Sequence, residues 1–371
     1  MIKITTMKKN LPIIIGLLIS VFCLNDVQAQ DPIFSQFYAA PMQTNPAMTG
    51  LFDGKFRVTA NYKQQWNSIL QSEPFRTSSA GFDMRSAIGR NDFLSYGVTG
   101  LQDQAGVSGF TRNAGAANVS FMKQLGGGGY RSADQYLIAG VQLGGGQFSL
   151  NSEDLWFSTQ FDTGTESVNQ GIPNNELINQ NTDFFLDMSA GLMWYSVFDD
   201  NQSLYVGGAI FHANAPKYSF IDSNGEETLE LRWMAQFGGE FPLNDQLSVL
   251  PAAIVTSQGP SMLGIVGANF RYTNRDWREV AIRAGFWSHF SKNLNVSENG
   301  ATGVQSESTS FGVPTYTVSA ILEMGRVNVG ISYDIATNRL SEPTNNRGGF
   351  ELSVAYVHPG SRKEKVRCPK L

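Results

Sequence analysis

The chain has 371 residues, of which 42% are hydrophobic, 16% charged and 12% aromatic, with 38 Gly, and its mean hydropathy is −0.18. That balance excludes a helical membrane protein and a disordered chain, and it suits strands that alternate apolar and polar side chains. A net charge of −5 and a pI of about 5.3 leave no broad basic surface for nucleic acid.

Residues 1–29 read as a secretory signal peptide. Lys3, Lys8 and Lys9 precede the apolar run Leu11 to Leu24, and Val27-Gln28-Ala29 supplies small residues where a signal peptidase needs them. The run is about 14 residues long, short of the ~20 that a spanning helix requires. Cleavage is therefore expected after Ala29. Cys23 follows Phe22, which is too bulky for the position before a lipidated cysteine. Cleavage would leave Cys368 as the one cysteine, so neither an internal disulfide nor a cysteine-based metal cluster is expected.

Residues 30–50 do not read as a strand. Pro32, Pro41 and Pro46 remove ladder donors, and the stretch has no periodicity. Yet Phe34, Phe37, Tyr38 and Met42 are large and apolar, and Asp31 is the single charge between Asp31 and Gly50. Such a segment needs a cavity to occupy. The expectation is a plug folded inside a barrel, with a turn at Asn45-Pro46-Ala47; the alternative is an extension packed on the periplasmic rim. Phe34, Ser35, Gln36, Phe37, Tyr38, Pro41, Asn45, Pro46, Ala47 and Gly50 are the candidate plug and partner-binding residues.

Residues 51–359 read as an all-β, transmembrane antiparallel β-barrel. From Lys55 to Lys63, Phe56, Val58, Ala60 and Tyr62 share one face, while Lys55, Arg57, Thr59, Asn61 and Lys63 share the other. The pattern recurs around Phe82, Tyr96, Val119, Val141, Met188, Val206, Ala235, Leu247 to Val255, Met262 to Tyr272, Ile282, Val318, Ile331 and Leu352, giving about 14 segments of roughly 9–11 residues. An even number puts both termini on the periplasmic side. Closure follows from membrane physics, because an open sheet edge in lipid leaves backbone groups unpaired. Tyr62 with Trp66, Trp194 with Tyr195, and Phe286 with Trp287 fit interfacial girdles, or alternatively ordinary core aromatics. Asn151 to Thr182, Ser291 to Gly312 and Pro216 to Glu227 are expected as external loops, and Gly126 to Gly129 as a flexible turn.

Residues 360–371 form a basic tail, in which Arg362, Lys363, Lys365, Arg367 and Lys370 face one acid, Glu364. On the periplasmic side it is a candidate docking element for an acidic partner or for lipid headgroups; the alternative is a solvated end.

Catalysis finds little support. His212, His289 and His358 stand at strand ends, away from any nucleophile motif or metal pair, so neither an enzyme nor a cofactor is expected. A channel competes more seriously, since Lys55, Arg57, Arg85, Asp187, Arg271 and Arg283 could line an aqueous path. Paired with one another, they would instead hold a plug.

The opening DPIFSQFYAAP, Asp31 to Pro41, with Asn45-Pro46-Ala47-Met48-Thr49-Gly50, resembles the start of the PorP/SprF family of Bacteroidetes outer-membrane proteins. Tyr62 to Trp66, Leu137 to Leu150, Tyr205 to Pro216 and Arg367-Cys368-Pro369 are also similar to that family. The resemblance implies a role in type IX secretion and gliding. Its expected partners are a periplasmic lipoprotein ring or translocon, a large secreted surface protein bound through its C-terminal domain, and outer-membrane lipid. The Asn-Pro-Ala turn also resembles the hatch of fatty-acid-transporter barrels, whose small-molecule passage is the alternative function.

Overall fold

The computed structural model describes residues 31–360 except 71–72, 89–90, 107, 127–132, 153–154, 163, 170, 173–177, 200–201, 222–226, 275–279, 299–304 and 338–340. The signal segment, Gly127 to Gly129, and the tail with Arg362, Lys363, Lys365, Arg367 and Lys370 lie outside the described residues.

The described strands close into one antiparallel 14-strand barrel. They are β1 (Phe56–Gln65), β2 (Phe75–Ile88), β3 (Asp92–Ala105), β4 (Phe110–Gly126), β5 (Asp134–Ser149), β6 (Phe185–Asp199) and β7 (Gln202–Phe211), followed by β8 (Arg232–Pro242), β9 (Leu247–Gln258), β10 (Ser261–Thr273), β11 (Val280–Glu298), β12 (Gln305–Met324), β13 (Val327–Ala336) and β14 (Arg347–His358). Each pairs with its sequence neighbour, and β1 zips onto β14 from Phe56↔His358 to Gln65↔Gly349. That seam leaves no open edge, which is the condition for crossing lipid with strands. Among the described residues no helix is long and apolar enough to cross a membrane.

Connections at one end are short, as at 243–246 and 325–326, whereas the other end carries 150–184 and 212–231. β1 starts and β14 finishes at the short-turn end, which is therefore periplasmic. Val58, Phe82, Val98, Val141, Leu192, Phe286 and Leu352 face outward and are exposed, ready to meet lipid, whereas Arg57, Thr59, Asn61 and Lys63 are buried inside. Alternation thus sorts the two faces as the pleat requires.

Three expectations need correction. Ser291 to Gly312 is not a loop: β11 and β12 continue through it, paired from Ser291↔Gly312 to Glu298↔Gln305. Beyond the lipid neither face needs apolar residues, so a ladder held by backbone hydrogen bonds carries no alternation signal. Tyr195 and Trp287 are no girdle residues either, since both are buried inside the barrel. Lys55 sits exposed just before β1 and does not line the lumen. Polar side chains outnumber apolar ones among the buried residues, yet one part of the lumen is apolar. Phe93, Met122, Tyr136, Ile138, Met193, Tyr195, Val197 and Tyr205 form an interior apolar cluster with Ala47, Met48 and Leu51.

Candidate functional site

The segment from Asp31 to Gly50 occupies the lumen, and its contacts run from one end of the barrel to the other. It contains a 3-10 turn at Phe37–Ala39, a helical turn at Pro41–Thr44 and a second 3-10 turn at Pro46–Met48. Pro41 and Pro46 each stand at the start of a helical turn, where a missing N–H costs nothing and φ is already suited. Asn45 caps the second turn, its side-chain oxygen accepting from Ala47 N at 2.8 Å.

The outer end is an ionic cradle. Arg112 near the start of β4, Arg232 at the start of β8 and His212 just after β7 all converge on the Asp31 carboxylate. Arg232 stands 3.2 Å and His212 Nε2 2.7 Å from Asp31 Oδ2, and Asp31 N donates to Gln258 Oε1 at 2.8 Å. The other ring nitrogen of His212 lies 2.9 Å from Asp187 Oδ2. Both partners of the ring are carboxylates, so two donating nitrogens, the imidazolium form, suit the site. Burial alone would raise the Asp31 pKa, but the charges of Arg112 and Arg232 and the His212 hydrogen bond hold it well below the ordinary carboxylate range. Burial alone would lower His212, and the bonds to Asp187 and Asp31 raise it instead.

One step deeper, Glu351 of β14 accepts Ser35 N at 2.7 Å and Gln36 N at 2.9 Å. Lys63 pairs with Glu351 at 2.9 Å and donates to Ile33 O at 2.9 Å. Asp334 accepts from Ser35 Oγ at 2.9 Å, and Ser353 Oγ donates to Gln36 Oε1 at 2.9 Å. Mid-lumen contacts are mostly apolar. The Phe37 ring meets Trp287 edge-on at 5.4 Å, and Tyr38 lies 5.5 Å from the same indole. Phe34 is buried nearby. Asn45 Nδ2 donates to Gly208 O at 3.1 Å. Gly140 and Gly191 leave room for this turn, since a Cβ on Gly140 would stand 2.5 Å from Ala47 N and one on Gly191 would stand 1.9 Å from Asn45 Oδ1.

The inner end is a second clamp. Asp83 accepts Gly50 N at 2.8 Å and holds Arg57 in a two-bond fork at 2.7 and 3.0 Å. Arg57 also donates to Met48 O at 3.1 Å, and Ser120 Oγ to Thr49 O at 2.6 Å. Arg85 lies 5.7 and 5.0 Å from the ring centroids of Phe52 and Phe93. The expected plug residues from Phe34 to Gly50 thus meet one continuous wall. The wall residues that grip them, Lys63, Asp83, Arg112, His212, Arg232, Asp334 and Glu351, carry no local sequence motif. A charge on the inward parity of a strand is the one signal that could have found most of them.

Farther round the wall, Arg283 and Arg271 pair with Glu323, the latter at 3.0 Å. His289 lies 2.9 Å from Thr317 Oγ1, and His358 stacks on Phe56 at 4.7 Å. Among the described residues no group of three or more His, Cys, Asp or Glu could hold a metal ion.

A family model described as type IX secretion system membrane protein PorP/SprF matches residues 26–356. No curated protein matches the chain. Among solved structures, the chain is similar to the Pseudomonas putida toluene transporter TodX at 10% identity and a TM-score of 0.48, covering 90% of this chain and 99% of that one. It is also similar to the Ralstonia pickettii toluene transporter TbuX at 12% identity and a TM-score of 0.41, covering 86% and 92%. CdiB from Escherichia coli aligns at 10% identity and a TM-score of 0.41, covering 81% of this chain and 63% of that one. The model match extends over nearly the whole barrel, and the chain belongs to the PorP/SprF family of type IX secretion system membrane proteins.

Proposed function

We propose that this outer-membrane barrel is a closed, non-catalytic subunit of type IX secretion and gliding machinery. It holds a secreted surface protein through that protein's C-terminal domain, periplasmic components, or both, in support of export or surface anchoring. The observation that carries the reading is the double clamp on the lumenal segment, with Asp31 fixed at the outer end and Gly50 at the inner end. Removing one partner from a buried ion pair costs about 3–5 kcal/mol, so a segment clamped at both ends stays in place and blocks passage. Binding at the barrel's surfaces is then the remaining use.

A structural use for every histidine supports the absence of catalysis. His212 serves Asp31, His289 bonds Thr317 and His358 stacks on Phe56. Cleavage after Ala29 fits as well, since it leaves one residue ahead of the Asp31 cradle. The basic tail with Arg362 and Lys363 is proposed to face the periplasm and dock machinery there. Affinity purification of the tagged full chain from native membranes tests this function. The expected result is stoichiometric recovery of a large surface protein or of periplasmic lipoproteins. Recovery of lipid alone would favour a barrel for small molecules.

A further inference from the structure

The connection 150–184 at the outer end is built inside out. Its centre is a glutamine: Gln160 is buried, and its backbone N donates to Phe157 O at 2.9 Å. Its side-chain Oε1 accepts Phe157 N at 3.1 Å, its Nε2 donates to Ile172 O at 2.8 Å, and its carbonyl accepts Asn169 N at 2.8 Å. Around that polar hub a two-stranded hairpin pairs Phe161 with Val168 and Asp162 with Ser167. Four large side chains of the connection are presented to solvent. Trp156 and Phe161 are 48% and 49% exposed, and Val168 and Ile172 are 40% and 38% exposed.

Outward apolar residues on the barrel wall are explained by lipid, but these four lie on a connection beyond the strands. Large apolar groups presented to water by a loop with its own hydrogen-bonded scaffold, two of them paired across its hairpin as Phe161 and Val168, mark an interaction surface. Its charge narrows the occupant. Between Asn151 and Asp183 the chain has Glu153, Asp154, Asp162, Glu166, Glu176 and Asp183, with no Lys or Arg. Asp162 accepts Gly164 N at 2.8 Å, and that hydrogen bond keeps its carboxylate below the ordinary range. An acidic loop repels the phosphate-bearing headgroups of an anionic leaflet and attracts basic protein surface.

We infer that Trp156, Phe161, Val168 and Ile172, rimmed by Asp162 and Glu166, form an external docking surface for a protein partner presenting apolar side chains among Lys and Arg. The inference rests on the proposal that this barrel holds a protein, and it adds where the protein is held and by what chemistry. The apolar groups supply affinity, and the acids set orientation and on-rate.

The test uses the full chain in its native cells, with a photo-crosslinking residue placed at Phe161 or, separately, at Asp245 in a periplasmic turn. The expected result is an adduct from position 161 to a surface-exposed protein, mapped to a segment of net positive charge. Its yield should fall at least tenfold in Asp162→Lys/Glu166→Lys, while the barrel's heat-modifiable gel migration stays unchanged. Adducts from 161 to lipopolysaccharide alone, or a yield indifferent to the charge reversal, would overturn the surface. Adducts to machinery from 245 with none from 161 would overturn this surface while leaving the proposed function standing. Silence at both positions would overturn both.

Discussion

Asp31 and His212, 181 positions apart in the chain, meet at 2.7 Å at the outer end of the lumen. The contact is strongest with both groups charged, and their shifts set its window. His212 is raised, so its contribution is complete below the ordinary imidazole value of about 6.5 and is lost as pH climbs through the raised one. Asp31 is lowered, so its contribution is complete above about 3.9 and is lost as pH falls through the depressed value. Hydrogen exchange at amides 33–36, corrected for intrinsic rates, should therefore be slowest in mildly acidic buffer and should speed up under alkaline conditions. In His212→Gln the alkaline acceleration should disappear.

The inner clamp turns on Asp83, which is fully buried and serves Gly50 N and Arg57 together. Asp83→Ala leaves a buried guanidinium without its counter-charge, at a cost of about 3–5 kcal/mol. Asp83→Asn keeps an acceptor for Gly50 and should lose less. The loss of heat-modifiable migration with temperature ranks the two, and equal melting of both variants and the parent would remove Asp83 from the clamp.

Backbone proximity makes Gly140 a seat for the lumenal segment. A Cβ there meets the backbone of Pro46 and Ala47 at 2.5 Å, and neither atom can rotate aside. Gly140→Val should cost about 3 kcal/mol, the upper end for overpacking, and should expose residues 45–48 to exchange. Gly100→Ala, where a Cβ meets nothing within 4 Å, should be neutral to within about 0.5 kcal/mol.

How much of this was legible in the sequence differs by element. The strands were readable because lipid imposes apolar groups at every second position, as in Phe56, Val58 and Tyr62. The opening segment stood out because Pro41 and Pro46 forbid a strand while Phe34 and Phe37 demand burial. Asp31 gave no hint of its role, since its partners Arg112 and His212 come from β4 and from the residue after β7, and only closure of the barrel brings them together. The inward turn of Tyr195 and Trp287 was equally hidden. An aromatic in a strand serves a girdle or a lumenal core with the same local pattern, and which one it serves depends on what fills the lumen. The long hairpin through Ser291 and Gly312 lies outside the reach of periodicity, because a stretch so rich in Asn, Ser and Gly carries no sustained apolar alternation.

The central claim is that the lumenal segment closes the barrel, leaving it to act by holding proteins. Conductance of the purified full chain in planar bilayers tests it most directly. The account predicts no steady current above the bare membrane at neutral pH, with current appearing once Asp31 to Gly50 is deleted. A steady, ohmic current through the intact protein with that segment in place would contradict it.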